Sequence, residues 1–174
     1  YINNNNNNNI LLLGDFYTVL KNYSSVYDLI TVVGMSEHLT PSRKDQLFRT
    51  CYSLMAKGGV LFLQTIAKPK CWIGGDAYRI IRDFVFPGHH LDYAEETIER
   101  LKRVGFNIKD IHDGHLDYSK TVEAWAKNII ANADKIKELI GERDFRIFVG
   151  YLVFASKLFR EKRGSLLRIA ATKD

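Results

Sequence analysis

The sequence predicts a doubly wound α/β domain, and three observations predict it. Nearly continuous apolar runs of strand length recur along the chain. Amphipathic stretches with helical spacing separate them. Glycine and proline punctuate the joins. Strands that are apolar on both faces belong to a sheet covered on both sides by helices, which predicts parallel pairing. A chain of 174 residues has room for one such core.

Asn3–Asn9 is a homopolymer of a residue that favours neither helix nor strand. Residues 1–9 are therefore expected to be a disordered tail or insert, and residues 10–174 the domain. Ile10–Leu13, stopped by Gly14-Asp15, reads as a short buried strand. Tyr27–Val33 is a second, rich in β-branched residues and ending at Gly34. Thr40 is a candidate N-cap with Pro41 in the first helical position. From there Leu47, Cys51, Leu54 and Met55 repeat at helical spacing. Gly58-Gly59 is expected to break the chain before a third strand, Val60–Ile66. Pro69–Asp92 is loop-rich, with one helix around Asp76–Phe84 ended by Pro87-Gly88. A helix over Tyr93–Val104 carries Ile98, Leu101 and Val104 on one face, with Gly105 just past its end. Phe106–Ile111 reads as a strand. Helices over Thr121–Ile140 and Arg143–Lys162, split by Gly141, form an insert before the terminal strand Ser165–Ala171.

The bulk properties narrow the function classes. The densest apolar run near the end, Val149–Ala155, falls far short of the ~20 residues of a spanning helix. The chain opens on asparagines, with neither Met nor an apolar leader, which predicts no signal peptide and a fragment of a longer protein. Cys51 and Cys71 are too few for a disulfide framework and read as free thiols of a cytoplasmic protein. The net charge of +5 favours anionic partners, phospholipid headgroups or nucleic acid, without choosing between them. Lys157, Arg160, Lys162, Arg163 and Arg168 read as a solvated helix end. His89, His90, His112 and His115 have no zinc-like spacing, so no metal is expected. Trp72 and Trp125 read as core or pocket wall.

In open α/β sheets ligands bind beyond the carboxyl ends of the strands. That selects Gly14-Asp15, Gly34–His38 and Gln64–Ala67. Gly34-Met35-Ser36-Glu37-His38 sets a carboxylate and an imidazole just past a buried strand, where they could do acid–base work. A surface loop with a capping glutamate would carry the same residues.

Wider blocks extend this pattern. They are Gly34-Met35-Ser36-Glu37-His38, Gln64-Thr65-Ile66 at a strand end, and Val85-Phe86-Pro87-Gly88. Asp117-Tyr118 with Thr121 and Ala124-Trp125 follows, then Tyr151-Leu152 with Ala155 and Phe159-Arg160. Five such blocks, in order over most of the chain, resemble the cyclopropane-fatty-acyl-phospholipid synthases and their mycolic acid relatives. The resemblance implies the C-terminal part of a Rossmann-like class I methyltransferase domain with a helical insert before the last strand. It also implies S-adenosylmethionine as cofactor and methyl or methylene transfer to the double bond of an unsaturated lipid at a peripheral membrane surface, with no nucleic acid. By the same resemblance Asp15, Phe16, Gly34 and Met35 belong to the cofactor site. Glu37, His38, Gln64, Ile66 and Tyr118 belong to the catalytic site, where Glu37, Gln64, Ile66 and Tyr118 would hold a bicarbonate ion as proton acceptor.

The chain departs from that family in three respects. Gln64 stands where the relatives have His, which keeps a donor and loses a titratable group. Ala155 stands where the synthases carry Cys, and is expected to pack a helix. The glycine-rich cofactor loop is expected upstream of Tyr1, so these residues alone are expected to be inactive. Two other functions stay open: N-methylation of a small molecule, as in plant alkaloid N-methyltransferases of the coclaurine type that share the Glu-His block, and a degenerate domain that only binds.

Overall fold

The computed structural model describes residues 13–21, 26–70 and 76–174. The asparagine tract, the expected strand residues Ile10–Leu12, Cys71 and Trp72 lie outside them. The described elements are α1 (Phe16–Leu20), β1 (Tyr27–Val33), a 3-10 turn (Ser36–His38), α2 (Pro41–Leu54) and β2 (Met55–Ala67). After them come α3 (Asp76–Ile80) running into a π-helical turn (Ile81–Val85), then α4 (Ala94–Val104), β3 (Asn107–Asp113), α5 (His115–Ala131), α6 (Ala133–Arg160) and β4 (Ser165–Thr172).

The strands form one sheet in the order β1-β2-β4-β3. β1 pairs parallel to β2, from Leu29 opposite Val60 to Val33 opposite Gln64. β4 runs antiparallel to both of its neighbours, so the sheet is mixed rather than wholly parallel. The helical insert is the reason. α5 leaves the end of β3 and α6 packs back along it, which returns the chain to the end of the sheet it had left. Ser119 Oγ donates to Ser156 O at 2.9 Å and Gly114 N to Leu166 O at 2.9 Å, fixing that return.

Three boundaries differ from the sequence expectation. Gly58-Gly59 does not precede the third strand but lies inside it. Tyr27 pairs with Met55 and Leu29 already with Val60, so β2 carries extra residues there as a bulge. A side chain at Gly59 would meet Met55 Cγ at 2.6 Å and Ala56 O at 2.9 Å, which is why only glycine fits. The helix expected from Thr121 begins at His115 and is interrupted at Asn132. The expected split at Gly141 is present, since its φ of 84° and ψ of 158° are non-helical and divide α6 into two helices there. Val104 and Gly105 end α4 as expected, with Gly105 at φ of 116°, but Phe106 packs in the core ahead of β3.

Two apolar clusters hold these layers. One lies between the sheet and α2 and α4, built from Leu47, Phe48, Leu61, Leu63, Leu101 and Ile169. Full burial of Leu61, Leu63 and Ile169 is worth about 1.5–3 kcal/mol each. The second joins α5 to α6 through Val122, Ala126, Leu152, Ala155 and Phe159, with Ile66 and Tyr118 packed against it. Ala155 thus packs between helices, as its size suggests. Cys51 is a free, buried thiol on α2, pushed by burial up to about 12, which makes it unreactive. Trp125 is 46% exposed and meets Tyr118 only edge-on, so it is not a core residue. Within the basic cluster Arg160 pairs with Glu123 at 2.7 Å and Lys157 with Glu161 at 3.7 Å at the surface, whereas Arg168 lies part-buried on β4. No helix among the described residues is long and apolar enough to cross a membrane.

Candidate functional site

The parallel pairing of β1 and β2 brings two strand ends side by side. Gly34 N donates to Gln64 O at 3.1 Å, which closes β1 against β2. Gly34 has φ of 62°, a left-handed turn that suits glycine. This turn drops the next residues into the short 3-10 segment and carries Glu37 inward. The Glu37 side chain is buried, and its Oε2 accepts from Thr65 Oγ1 at 3.1 Å. Thr65 Oγ1 in turn accepts from Ser36 Oγ at 2.8 Å. A buried carboxylate is costly unless hydrogen-bonded, and this chain of hydroxyls supplies the partner.

Period-two alternation along β2 sorts the next residues. Thr65 points toward Glu37, while Ile66 packs toward α5 and α6. Gln64 lies beside Ile66 on that side, but its Oε1 accepts from Arg168 Nε on β4 at 3.2 Å.

A cavity of about 190 Å³ opens beyond these strand ends. Gly34, Glu37 and His38 line it from the first strand end, and Ile66 and Ala67 from the second. Tyr118 contributes from α5, and Tyr151, Ala155, Leu158 and Phe159 from α6. The wall is completed by Tyr78, Ile81, Phe86, His89 and Leu91, from α3, the π-helical turn and the loop after it. That loop is stitched to the site by His90 N donating to Glu37 O at 2.7 Å and Lys68 N to Asp92 O at 2.8 Å.

The wall is mostly aromatic and aliphatic. Phe86 meets the His38 ring at 5.5 Å and the Tyr151 ring at 5.5 Å, and Tyr118 meets Phe159 at 4.8 Å, all edge-to-face. Burial, and then the nearby Glu37, pushes the Tyr118 hydroxyl above its ordinary value, and burial followed by Tyr118 does the same to Tyr151. Both phenols therefore stay protonated donors. Burial pulls His89 below the ordinary imidazole value.

Of the residues singled out in the sequence, Gly34, Glu37, His38, Ile66 and Tyr118 converge on this one cavity. Gln64, Asp15, Phe16 and Met35 are not in its lining. Asp15 caps α1, its Oδ1 accepting from Tyr17 N at 3.1 Å and Thr18 N at 3.3 Å, and it pairs with Arg43 of α2. The Arg43 guanidinium sits 5.1 Å from the centre of the Phe16 ring. Met35 and Phe16 both pack against the first apolar cluster. Thr65 and His89 were missed as site residues. Thr65 is the middle residue of a motif read for its neighbours, and His89 sits in a pair of histidines considered only for metal binding.

Comparison with known proteins adds a family. The model of the mycolic acid cyclopropane synthetase family matches residues 2–169. The chain is 28% identical over 151 residues to sphingolipid C9-methyltransferase 1 of Gibberella zeae, covering 85% of this chain and 29% of that protein. It is 27% identical over 150 residues to methoxy mycolic acid synthase MmaA3 of Mycobacterium tuberculosis, covering 80% of this chain and 51% of that protein. The chain thus spans between 29% and 51% of these relatives' lengths. Its fold is similar to that of the cyclopropane synthase MmaA2 from Mycobacterium tuberculosis, with a TM-score of 0.82 at 20% identity over 89% of this chain and 58% of that one.

Proposed function

The chain belongs to the mycolic acid cyclopropane synthetase family, and on that premise we propose that it serves S-adenosylmethionine-dependent transfer of a methyl or methylene group to the double bond of an unsaturated lipid chain. The observation that carries this reading is the lining itself. One buried carboxylate stands in a wall of aromatic and aliphatic side chains at the carboxyl ends of two parallel strands. Apolar walls suit an acyl chain. Aromatic faces and a carboxylate suit the positive charge that develops on a carbon chain when its double bond attacks an electrophilic methyl. The printed names of the relatives, mycolic acid and sphingolipid enzymes, support a lipid as the acceptor.

The cofactor would bring the electrophilic methyl group. Gly34, whose missing side chain leaves open space, and the carboxylate of Glu37 fit a cationic sulfonium beside β1. Met35 would contribute backbone there. Asp15 and Phe16, held against the first turn of α2 by Arg43, would bound its far end. In the reaction Glu37, held by Thr65, stabilises positive charge. Tyr118 and His38 orient the acceptor chain, and Ile66 packs against it.

Bicarbonate, which the resemblance implies as proton acceptor, would find a donor in the protonated Tyr118 hydroxyl of this lining. Its own O–H would donate to the buried Glu37 carboxylate, with no Lys or Arg in the described lining to neutralise the pair. Gln64, a donor the resemblance assigns to the ion, turns its amide oxygen to Arg168 and stands outside the wall. Gln64 is better read as a brace between β2 and β4.

Incubating the full natural polypeptide with methyl-labelled S-adenosylmethionine and unsaturated phospholipid tests the proposal. Label in the acyl chain supports it. Label confined to an amine-bearing small molecule, supplied in the same assay, would favour N-methylation instead.

A further inference from the structure

The cavity at the strand ends, about 190 Å³, is small for a lipid chain. A cavity of roughly 150 Å³ holds a single benzene ring, so this one takes the few carbons around a reacting double bond and little more. An unsaturated acyl chain runs on well past its double bond, and that remainder needs a place.

A second volume lies against the first. It is an open groove of about 380 Å³ between α6 and the segment in which α3 runs into the π-helical turn. Ile80 and Ile81 form one side, and Ile147, Gly150, Tyr151 and Phe154 the other. Ile81 and Tyr151 line the cavity as well, so the two volumes meet at these residues. The Tyr151 ring lies edge-on to Phe86 of the cavity wall at 5.5 Å, and 5.6 Å from Phe148 along α6. Phe86 N donates to Ile81 O at 2.9 Å, the bond that closes the π-helical turn. One turn therefore joins a residue shared with the groove to a residue of the cavity wall, and turns of this kind are frequent at functional sites.

The chemistry of the groove selects its occupant. Arg146, the one charged residue in its described lining, is already paired with Glu142 at 2.6 Å. A headgroup phosphate would have to compete with that carboxylate, whereas a hydrocarbon tail needs only the apolar walls. Ile80 leaves 48% of its surface to solvent, apolar area that a tail would cover. Gly150 has no side chain, and a Cβ built there meets nothing within 4 Å, so the groove is open above this part of α6.

We propose that this groove is a second acyl subsite, which holds the methyl-terminal tail of the lipid chain while the cavity holds its double bond. The proposal rests on the methyl-transfer function above and adds to it a selection for the length of chain beyond the double bond. The chain passes from one volume to the other where Ile81 and Tyr151 stand, by rotation of those side chains.

The test uses the full natural polypeptide, methyl-labelled S-adenosylmethionine and detergent-dispersed phosphatidylglycerols that carry myristoleoyl, palmitoleoyl or oleoyl chains. These chains set the double bond at the same distance from the carboxyl and differ only in the tail. Wild-type kcat/KM is expected to rise on the order of tenfold with each pair of methylenes added, the effect of burying two CH₂ groups. Gly150→Leu fills the groove from a helical position with room for a side chain, and should bring the preference for oleoyl over myristoleoyl close to one. Gly150→Ala should keep most of that preference. Ile80→Gln, a change at a half-exposed side chain that folding tolerates, should weaken it several-fold. Cofactor binding and thermal unfolding are measured in parallel. Equal kcat/KM for the three lipids in the wild type would overturn the groove and leave methyl transfer standing. So would a preference that survives Gly150→Leu, or that survives Ile80→Gln should Gly150→Leu fail to fold. A wild-type polypeptide that binds the cofactor but labels none of the three lipids would sink the methyl-transfer function, and the role of the groove with it.

Discussion

Glu37 and Tyr118, one just past the end of β1 and the other in the first turns of α5, face the same cavity, where burial and then the carboxylate raise the proton affinity of the phenol. The relationship depends on the whole topology. β1 must pair with β2, β2 with β4, and the helical insert must fold back over the strand ends before these side chains can meet.

Removing the charge at Glu37 should therefore damage turnover more than folding. Glu37→Gln keeps an acceptor for Thr65 and loses the charge. It is expected to lower turnover on the order of 100-fold with little change in cofactor affinity, in the range typical of a group that acts in the transition state. Tyr118→Phe keeps the edge contact with Phe159 and should cost about tenfold, since one neutral hydrogen bond is worth about 1 ± 0.5 kcal/mol. Equal losses in cofactor affinity and turnover would place both residues in the cofactor site instead.

Ala155 offers a graded probe of the acceptor. It is buried between α5 and α6 and lines the cavity. Ala155→Val and Ala155→Phe should raise the KM for long acyl substrates progressively, and the larger change should cost about 1–3 kcal/mol of stability through overpacking. A KM that is indifferent to the size of residue 155 would mean that the acyl chain lies elsewhere.

Gln64→Leu separates a brace from a ligand. It leaves Arg168 Nε without its partner, and a half-buried donor left unpaired costs about 1–3 kcal/mol. Thermal or denaturant unfolding should register that loss, with turnover per folded molecule falling less than tenfold. A loss of turnover as large as that of Glu37→Gln, at unchanged stability, would return Gln64 to the site.

Lys44 and Asp92 anchor the loop that carries His89. Lys44 Nζ is 3.0 Å from Asp92 Oδ1 and donates to His90 O at 2.5 Å, and Arg100 reaches Asp92 at 3.1 Å. Burial lowers the pKa of Lys44, against the pull of Asp92. Asp92→Ala strands a buried ammonium and is expected to destabilise the chain by about 3–5 kcal/mol. Replacing both partners, Lys44→Met with Asp92→Leu, should cost much less than the sum of the single changes. A simple sum in the double-mutant cycle would contradict a coupled pair.

Most of the site was legible because strand ends are legible. Tyr27–Val33 and Val60–Ile66 stand out by apolar run and β-branching, and the crevice rule then directs attention to Gly34–His38 and Gln64–Ala67. What period-two alternation cannot reveal is which neighbour an outward side chain will find. Gln64 and Ile66 share one side of β2, yet Gln64 meets Arg168 from a strand that enters late and antiparallel. His89 escaped for a related reason. A histidine in a loop has no periodicity, and only the bonds from His90 to Glu37 and from Lys68 to Asp92 bring it to the cavity. The bulge at Gly58-Gly59 reads in one dimension as a break, although hydrogen bonds from Gly58 N to Lys173 O at 2.6 Å and from Lys173 N to Gly59 O at 3.2 Å carry the sheet past it.

The central claim, methyl transfer to the double bond of a lipid chain, is tested most directly by mass analysis of acyl chains from a host that expresses the full natural polypeptide and is fed methyl-labelled methionine. The account predicts unsaturated chains that gain one labelled methylene or methyl group at the former double bond, and no such gain with Glu37→Gln. Label that appears in headgroups or small amines while the acyl chains stay unchanged would contradict it.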